Sequence, residues 1–80
     1  MKKFYTNDDV DTLLIVARKN TEKVLPYISQ VASKGDVAVL RRAVTDSDFV
    51  AEDFDRYDSD VCERFLTLME ITGMVVLADL

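Results

Sequence analysis

The sequence predicts an all-α fold: a compact bundle of four to five short helices forming one domain over residues 1–80. Two observations carry this. Apolar residues recur at intervals of three and four through most of the chain, the spacing that lines one face of a helix. Helix-capping residues punctuate that pattern at intervals that cut it into short pieces. With 80 residues the chain makes a single domain, and a domain of this size buries about 60–65% of its unfolded surface, so its core is thin.

The elements follow in order. Lys2 to Tyr5 forms a lead-in, an arm or a short strand. Thr6 and Asn7 suit the N-cap of a first helix, and Asp8, Asp9 and Asp11 crowd its first turn, where the helix dipole favours negative charge. Val10, Leu13, Leu14 and Ala17 fall at i, i+3, i+4 and i+7, and Ile15 and Val16 widen the stripe toward burial on more than one side. Arg18 and Lys19 suit the C-terminal end, and Asn20 can stop the helix. Val24, Leu25, Ile28, Val31 and Ala32 carry a second helix. Pro26 is tolerated near a helix start, which puts that start between residues 22 and 25. Gly35 is expected as its left-handed stop. Asp36 caps a third helix, Val37 to Val44, with Val37, Leu40 and Val44 inward, Arg41 and Arg42 outward, and Thr45 closing it.

Beyond Thr45 the chain turns acidic. Val50, Phe54, Tyr57, Val61, Phe65 and Leu68 are spaced 4, 3, 4, 4 and 3 apart and would form one stripe at 100° per residue. Asp46-Ser47-Asp48 and Asp58-Ser59-Asp60 are cap signals, the second with Glu63 in capping-box position to Asp60. They divide the stretch into helices over about 47–56 and 60–72. Gly73 either stops the last helix or sits inside it. Met74 to Leu77 is β-prone and could pair with Lys3, Phe4 and Tyr5 as a small terminal ribbon, or continue the helix.

Charge is distributed unevenly. Residues 1–44 carry eight bases and five acids, a net of +3; residues 45–80 carry two bases and ten acids, a net of −8; together they give −5. The segment from Asp46 to Glu63 holds eight carboxylates against the single base Arg56. A surface of this sign repels nucleic acid and favours basic partner surfaces. Phe49, off the apolar stripe, is placed to anchor such a contact, and the candidate contact residues are Asp46, Asp48, Phe49, Glu52, Asp53, Asp55, Asp58 and Glu63.

The residues expected of an enzyme are not in the sequence. There is no His to act as a base, no Cys–His or Ser–His pairing, and two glycines do not make a phosphate-cradling loop. A calcium-binding EF-hand loop fails in both registers. From Asp53, position 6 is Asp58 and position 12 is Arg64; from Asp46, position 5 is Val50 and position 12 is Tyr57. No cofactor or metal is therefore expected. Cys62 is the one cysteine; it fits a small buried hydrophobe in a reducing compartment. Met1-Lys2-Lys3 is followed by no apolar signal-peptide core, and the apolar run from Met74 to Ala78 is short of the roughly 20 residues a bilayer requires. The expectation is a cytoplasmic protein that neither enters a membrane nor binds nucleic acid directly.

The acidic stretch then has three readings. It is an ordinary solvated surface; or it is an interaction face for a protein with a basic surface; or, more sharply, it mimics nucleic acid. If residues 46–63 formed one helix they would span about 26 Å, with one net charge per ~3.7 Å against ~3.4 Å per phosphate of a DNA strand. The expected function is a small acidic interaction module that binds and modulates another macromolecule, most simply as an inhibitor. Its composition suits the small accessory proteins of phages and mobile elements. Two alternatives compete. Ser33-Lys34-Gly35-Asp36 between short helices resembles a helix-turn-helix in outline, so Lys34–Arg42 would serve a DNA-binding regulator. Or the oppositely charged halves of two copies meet in a homodimer.

Overall fold

The computed structural model describes residues 6–32, 35–57 and 60–74, and among these every regular element is helical. Five α-helices are present: α1 Asn7–Lys19, α2 Thr21–Val24, α3 Ile28–Val31, α4 Val37–Thr45 and α5 Asp60–Ile71. Two 3-10 segments, Leu25–Tyr27 and Ala51–Arg56, complete them. The molecule measures 27 × 26 × 23 Å. The all-α bundle thus stands. The expected terminal ribbon falls on residues outside those described.

α1 starts where its cap residues place it. The Asp9 N–H donates to Thr6 Oγ1 at 3.2 Å and the Thr6 N–H to Asp9 Oδ2 at 3.1 Å, a reciprocal capping box that satisfies two otherwise orphaned donors. Val10, Leu14 and Ala17 are buried, as their spacing requires. Ile15 is not: it stands 51% exposed, whereas Val16 and Leu13 are half-buried against the core, so the stripe widens on their side only. Asn20 ends the helix by donating its side-chain amide to the Val16 carbonyl at 2.8 Å. Its own carbonyl then accepts from the Lys23 and Val24 N–H groups, so α2 begins directly.

Pro26 acts differently from its expected place near a helix start. The helical path opens earlier, at Thr21, and passes through Pro26 by tightening to 3-10 geometry over Leu25–Tyr27 before resuming as α3. Proline lacks the N–H an α-turn needs and its ring crowds the carbonyl four residues back; a local 3-10 turn relieves both.

α4 follows with Asp36 at its N-cap position, the Asp36 carbonyl accepting from Leu40 N–H at 2.9 Å. Leu40, Ala43 and Val44 are buried, and Arg41 and Arg42 are exposed. α5 contributes the largest share of the core through Val61, Cys62, Phe65, Leu66, Leu68 and Met69. Arg64 of α5 brackets the α3–α4 connection. Its Nε forms an ion pair with Asp36 Oδ2 at 3.0 Å, and its Nη1 donates to the Val31 carbonyl at 3.4 Å.

Gly73 terminates α5 in a Schellman motif. The Met74 N–H reaches the Met69 carbonyl at 2.8 Å and the Gly73 N–H the Glu70 carbonyl at 3.0 Å, with Gly73 at φ 81°. Gly35, expected to play the same part for the second helix, does not have a left-handed φ, and α3 ends instead with Ala32 turning to extended backbone. The two glycines therefore respond oppositely to alanine. Gly73→Ala should cost about 1–2 kcal/mol, because a Cβ strains the left-handed conformation. Gly35→Ala should be neutral or stabilise by up to about 1 kcal/mol, since a Cβ there meets nothing within 4 Å and the unfolded chain loses freedom. Thermal melts of the two variants check the contrast.

Candidate functional site: the acidic face

The acidic stretch is not one helix: of the two helices expected over about 47–56 and 60–72, the second is present as α5, and the first is replaced by a turn and a shorter 3-10 segment. It opens as an Asx turn, in which Asp46 Oδ1 accepts from the Asp48 N–H at 2.9 Å and the Phe49 N–H bonds the Asp46 carbonyl at 3.0 Å. Val50 is extended, at φ −123° and ψ 169°. Ala51–Arg56 then winds as a 3-10 helix, and α5 begins at Asp60, which is the first helical residue rather than the cap before it. The competing turn at Asp46 explains the difference: a short carboxylate side chain offers the backbone a local partner that a helix would otherwise supply.

This geometry takes Val50 and Tyr57 off the apolar stripe, while Phe54, Val61, Phe65 and Leu68 stay buried as their spacing predicts. Extended backbone at Val50 sends its neighbours inward and Val50 outward, and the 3-10 turn puts Ala51 and Phe54 on one side. Phe49, Ala51 and Phe54 are accordingly buried, while Val50 and Tyr57 are 42% and 37% exposed. Phe49 is the main correction. The sequence places it as a surface anchor; it is fully buried, with its ring 5.0 Å from Phe54 in an edge-on arrangement. The Phe54 ring in turn lies 5.5 Å from Phe65. The regular spacing of charge along a continuous helix, the premise of nucleic-acid mimicry, is also absent.

α1 holds this segment in place by two side chains whose roles the sequence did not reveal. Asp11 Oδ1 accepts from the Ala51 N–H at 2.7 Å, at the start of the 3-10 helix. Arg18 donates from Nε to the Ala43 carbonyl at 3.2 Å, near the C-terminal end of α4, and from Nη2 to the Phe49 carbonyl. The two residues are seven positions apart, two helical turns, and so share a face of α1. Their carboxylate and guanidinium meet a backbone donor and backbone acceptors respectively.

The expected contact residues now separate. Asp46 and Asp53 are structural: both are half-buried. Asp46 accepts from Arg42 Nε at 3.2 Å as well as from Asp48 N–H. Asp53 accepts from the Val50 N–H at 2.9 Å and lies 3.8 Å from Arg56. Asp48, Glu52, Asp55 and Glu63 are exposed and make no ion pair among the described residues. Asp58 lies outside the described residues. Of the bases proposed for the helix-turn-helix alternative, Arg42 is bound to Asp46 and stands with its guanidinium 5.6 Å from the Phe49 ring centroid, Arg41 is exposed, and Lys34 is outside the described residues.

The Asp48 backbone N–H, and after it the Arg42 guanidinium, hold the Asp46 carboxyl below the ordinary Asp range. A depressed folded-state pKa means that the unfolded chain takes up the proton first. The contribution to stability is therefore complete above the unfolded value of about 3.9 and fades as pH falls through the lower folded one. Asp46→Asn should flatten part of the acid limb of a Tm-against-pH curve below about pH 4, and leave the slope between pH 5 and 7 unchanged.

Among the described residues no three His, Cys, Asp or Glu side chains are grouped as a metal site. No helix there is long and apolar enough to cross a membrane. Comparison with known proteins finds no matching family model, no matching curated protein and no matching solved structure.

Proposed function

We propose that this protein is a small interaction module that engages a basic surface on another macromolecule through Asp48, Glu52, Asp55 and Glu63, and modulates that macromolecule by occupying its basic surface. The observation that carries the reading is the division of labour among the acids. Asp46 and Asp53 serve the fold, whereas these four carboxylates face solvent without an ion-pair partner among the described residues. Exposed charge of one sign raises the rate of encounter with an oppositely charged surface and rejects partners of like charge. Inhibition is the simplest consequence, since a basic surface covered by this face is closed to nucleic acid or any other acidic ligand.

The test is the triple variant Asp48→Asn/Glu52→Gln/Asp55→Asn, compared with Asp53→Asn. The triple variant should hold its stability within about 0.5 kcal/mol, as surface changes away from caps and core do. Its association with a lysine- or arginine-rich partner at low salt should slow by about tenfold, with a weaker dependence on ionic strength. Asp53→Asn should instead lower stability by about 1 kcal/mol, through the weakened bond to Val50 N–H, with little effect on association. A triple variant that unfolds, or that associates at the original rate, refutes the proposal.

A further inference from the structure

We infer that Ile15 and Val50 together form the apolar anchor of the acidic face, and that the ligand it takes is a protein segment presenting an aliphatic or aromatic side chain flanked by lysine or arginine. The inference rests on the interaction reading above and specifies the partner for it.

Ile15 and Val50 are both large apolar side chains left open to solvent, at 51% and 42% exposure. They come from distant parts of the chain, and the α1 clamp brings them together. Asp11, Ile15 and Arg18 are spaced four and three residues apart, one stripe on α1. The two ends of that stripe grip the chain on either side of Val50, Asp11 at the Ala51 N–H and Arg18 at the Phe49 carbonyl. Val50 therefore lies alongside α1 at the level of Ile15. Its extended backbone turns Phe49 and Ala51 into the core and Val50 to the outside. Both side chains are β-branched and stiff at χ1, so little rotamer freedom remains to be lost when a ligand covers them.

The surrounding charge selects the occupant. Asp48 and Glu52 stand two residues to either side of Val50, both exposed; Asp8, two turns before Ile15, is exposed as well. Of the cations beside the pair, Arg18 is committed to two backbone carbonyls and Arg56 lies 3.8 Å from Asp53, while Lys19, one turn after Ile15, is exposed. Asp8, Asp48 and Glu52 outnumber Lys19 and Arg56, and an apolar centre with a net negative rim matches the anatomy of a binding hot spot for a cationic segment. A second copy of this chain fits poorly, because a two-fold pairing of this face would set the same carboxylates against each other.

Two synthetic peptides of equal charge test this by fluorescence anisotropy: a lysine tract interrupted by Leu-Phe, and the same tract interrupted by Gly-Ser. The Leu-Phe peptide should bind about tenfold more tightly, and Ile15→Ser/Val50→Ser should erase that difference while leaving the affinity for the Gly-Ser peptide unchanged. The single variants Ile15→Gln and Val50→Thr, which keep helical and extended preferences respectively, should each remove part of it and guard against a folding defect. Equal binding of the two peptides, or a preference that survives in the double variant, overturns the anchor and leaves the charge reading standing. Binding of neither peptide overturns both. Self-association in sedimentation that the double variant abolishes would give the pair to a second copy and overturn the assignment.

Discussion

Phe49→Ala is expected to lower stability by about 3–5 kcal/mol. Phe49 is fully buried, packs edge-on against Phe54 and stands beneath the Arg42 guanidinium. Truncation removes the ring from all of these contacts and leaves a cavity between the acidic segment and the rest of the core. An 80-residue domain has a total stability of about 4–12 kcal/mol, so the loss takes a large share of it and should move the urea midpoint far down. Phe49→Leu, which refills much of the volume, should cost nearer 1–2 kcal/mol. Urea titrations followed by far- and near-ultraviolet circular dichroism separate these outcomes. Were Phe49 a surface anchor, as its position off the apolar stripe suggests, alanine would leave the midpoint unchanged and weaken only partner binding. Any loss of binding in Phe49→Ala is therefore to be read as a loss of fold unless the midpoint holds.

The mistaken place of Phe49 shows where the sequence stops being legible. α1 and α5 can be read directly, because each signal is local: Thr6 with Asp9 at the start of α1, and the run of apolar residues from Val61 to Met69 ended by Gly73. The stretch between α4 and α5 carries an equally regular apolar spacing, and there the reading fails. A period of three to four residues fixes a face only if the chain is α-helical throughout. The carboxylate of Asp46 captures the Asp48 N–H, the helix does not propagate, and Phe49 rather than Val50 goes inward, although Phe54 keeps its expected place. Acidic density is legible from composition; the job of each carboxylate is not. Asp53 and Asp55 look alike in sequence, yet Asp53 bonds the Val50 N–H and Asp55 faces solvent. Asp11 and Arg18 act on backbone 40 and 31 residues away, which no local pattern encodes. The available hint was their opposite charge at a seven-residue spacing, beside the buried stripe of Val10, Leu14 and Ala17.

Arg18→Ala should cost about 2–3 kcal/mol, a large effect for a side chain that local reading assigns only to the dipole of its own helix. The guanidinium donates to the carbonyls of Ala43 and Phe49 at once, so it caps α4 and fastens the acidic segment to α1 in a single contact. Hydrogen bonds from a charged donor exceed neutral ones, and partial exposure of Arg18 keeps the total below the sum expected for two fully buried bonds. Arg18→Lys should recover less than half of the loss, because a point-like ammonium cannot span two carbonyls as a planar fork does. Asp11→Ala, which frees the Ala51 N–H, should cost about 1 kcal/mol. The two changes should combine to less than their sum by at least about 0.5 kcal/mol. Each residue holds the same short run of backbone, so loosening one end lowers what the other end can secure. Hydrogen exchange locates the effect. In Arg18→Ala the Ala51 and Asp53 amides should exchange well before those of Phe65 and Leu68, because the acidic segment lifts from α1 while α5 keeps its packing. Uniform acceleration across the chain would mean instead that Arg18 supports the whole bundle rather than the docking of this one segment.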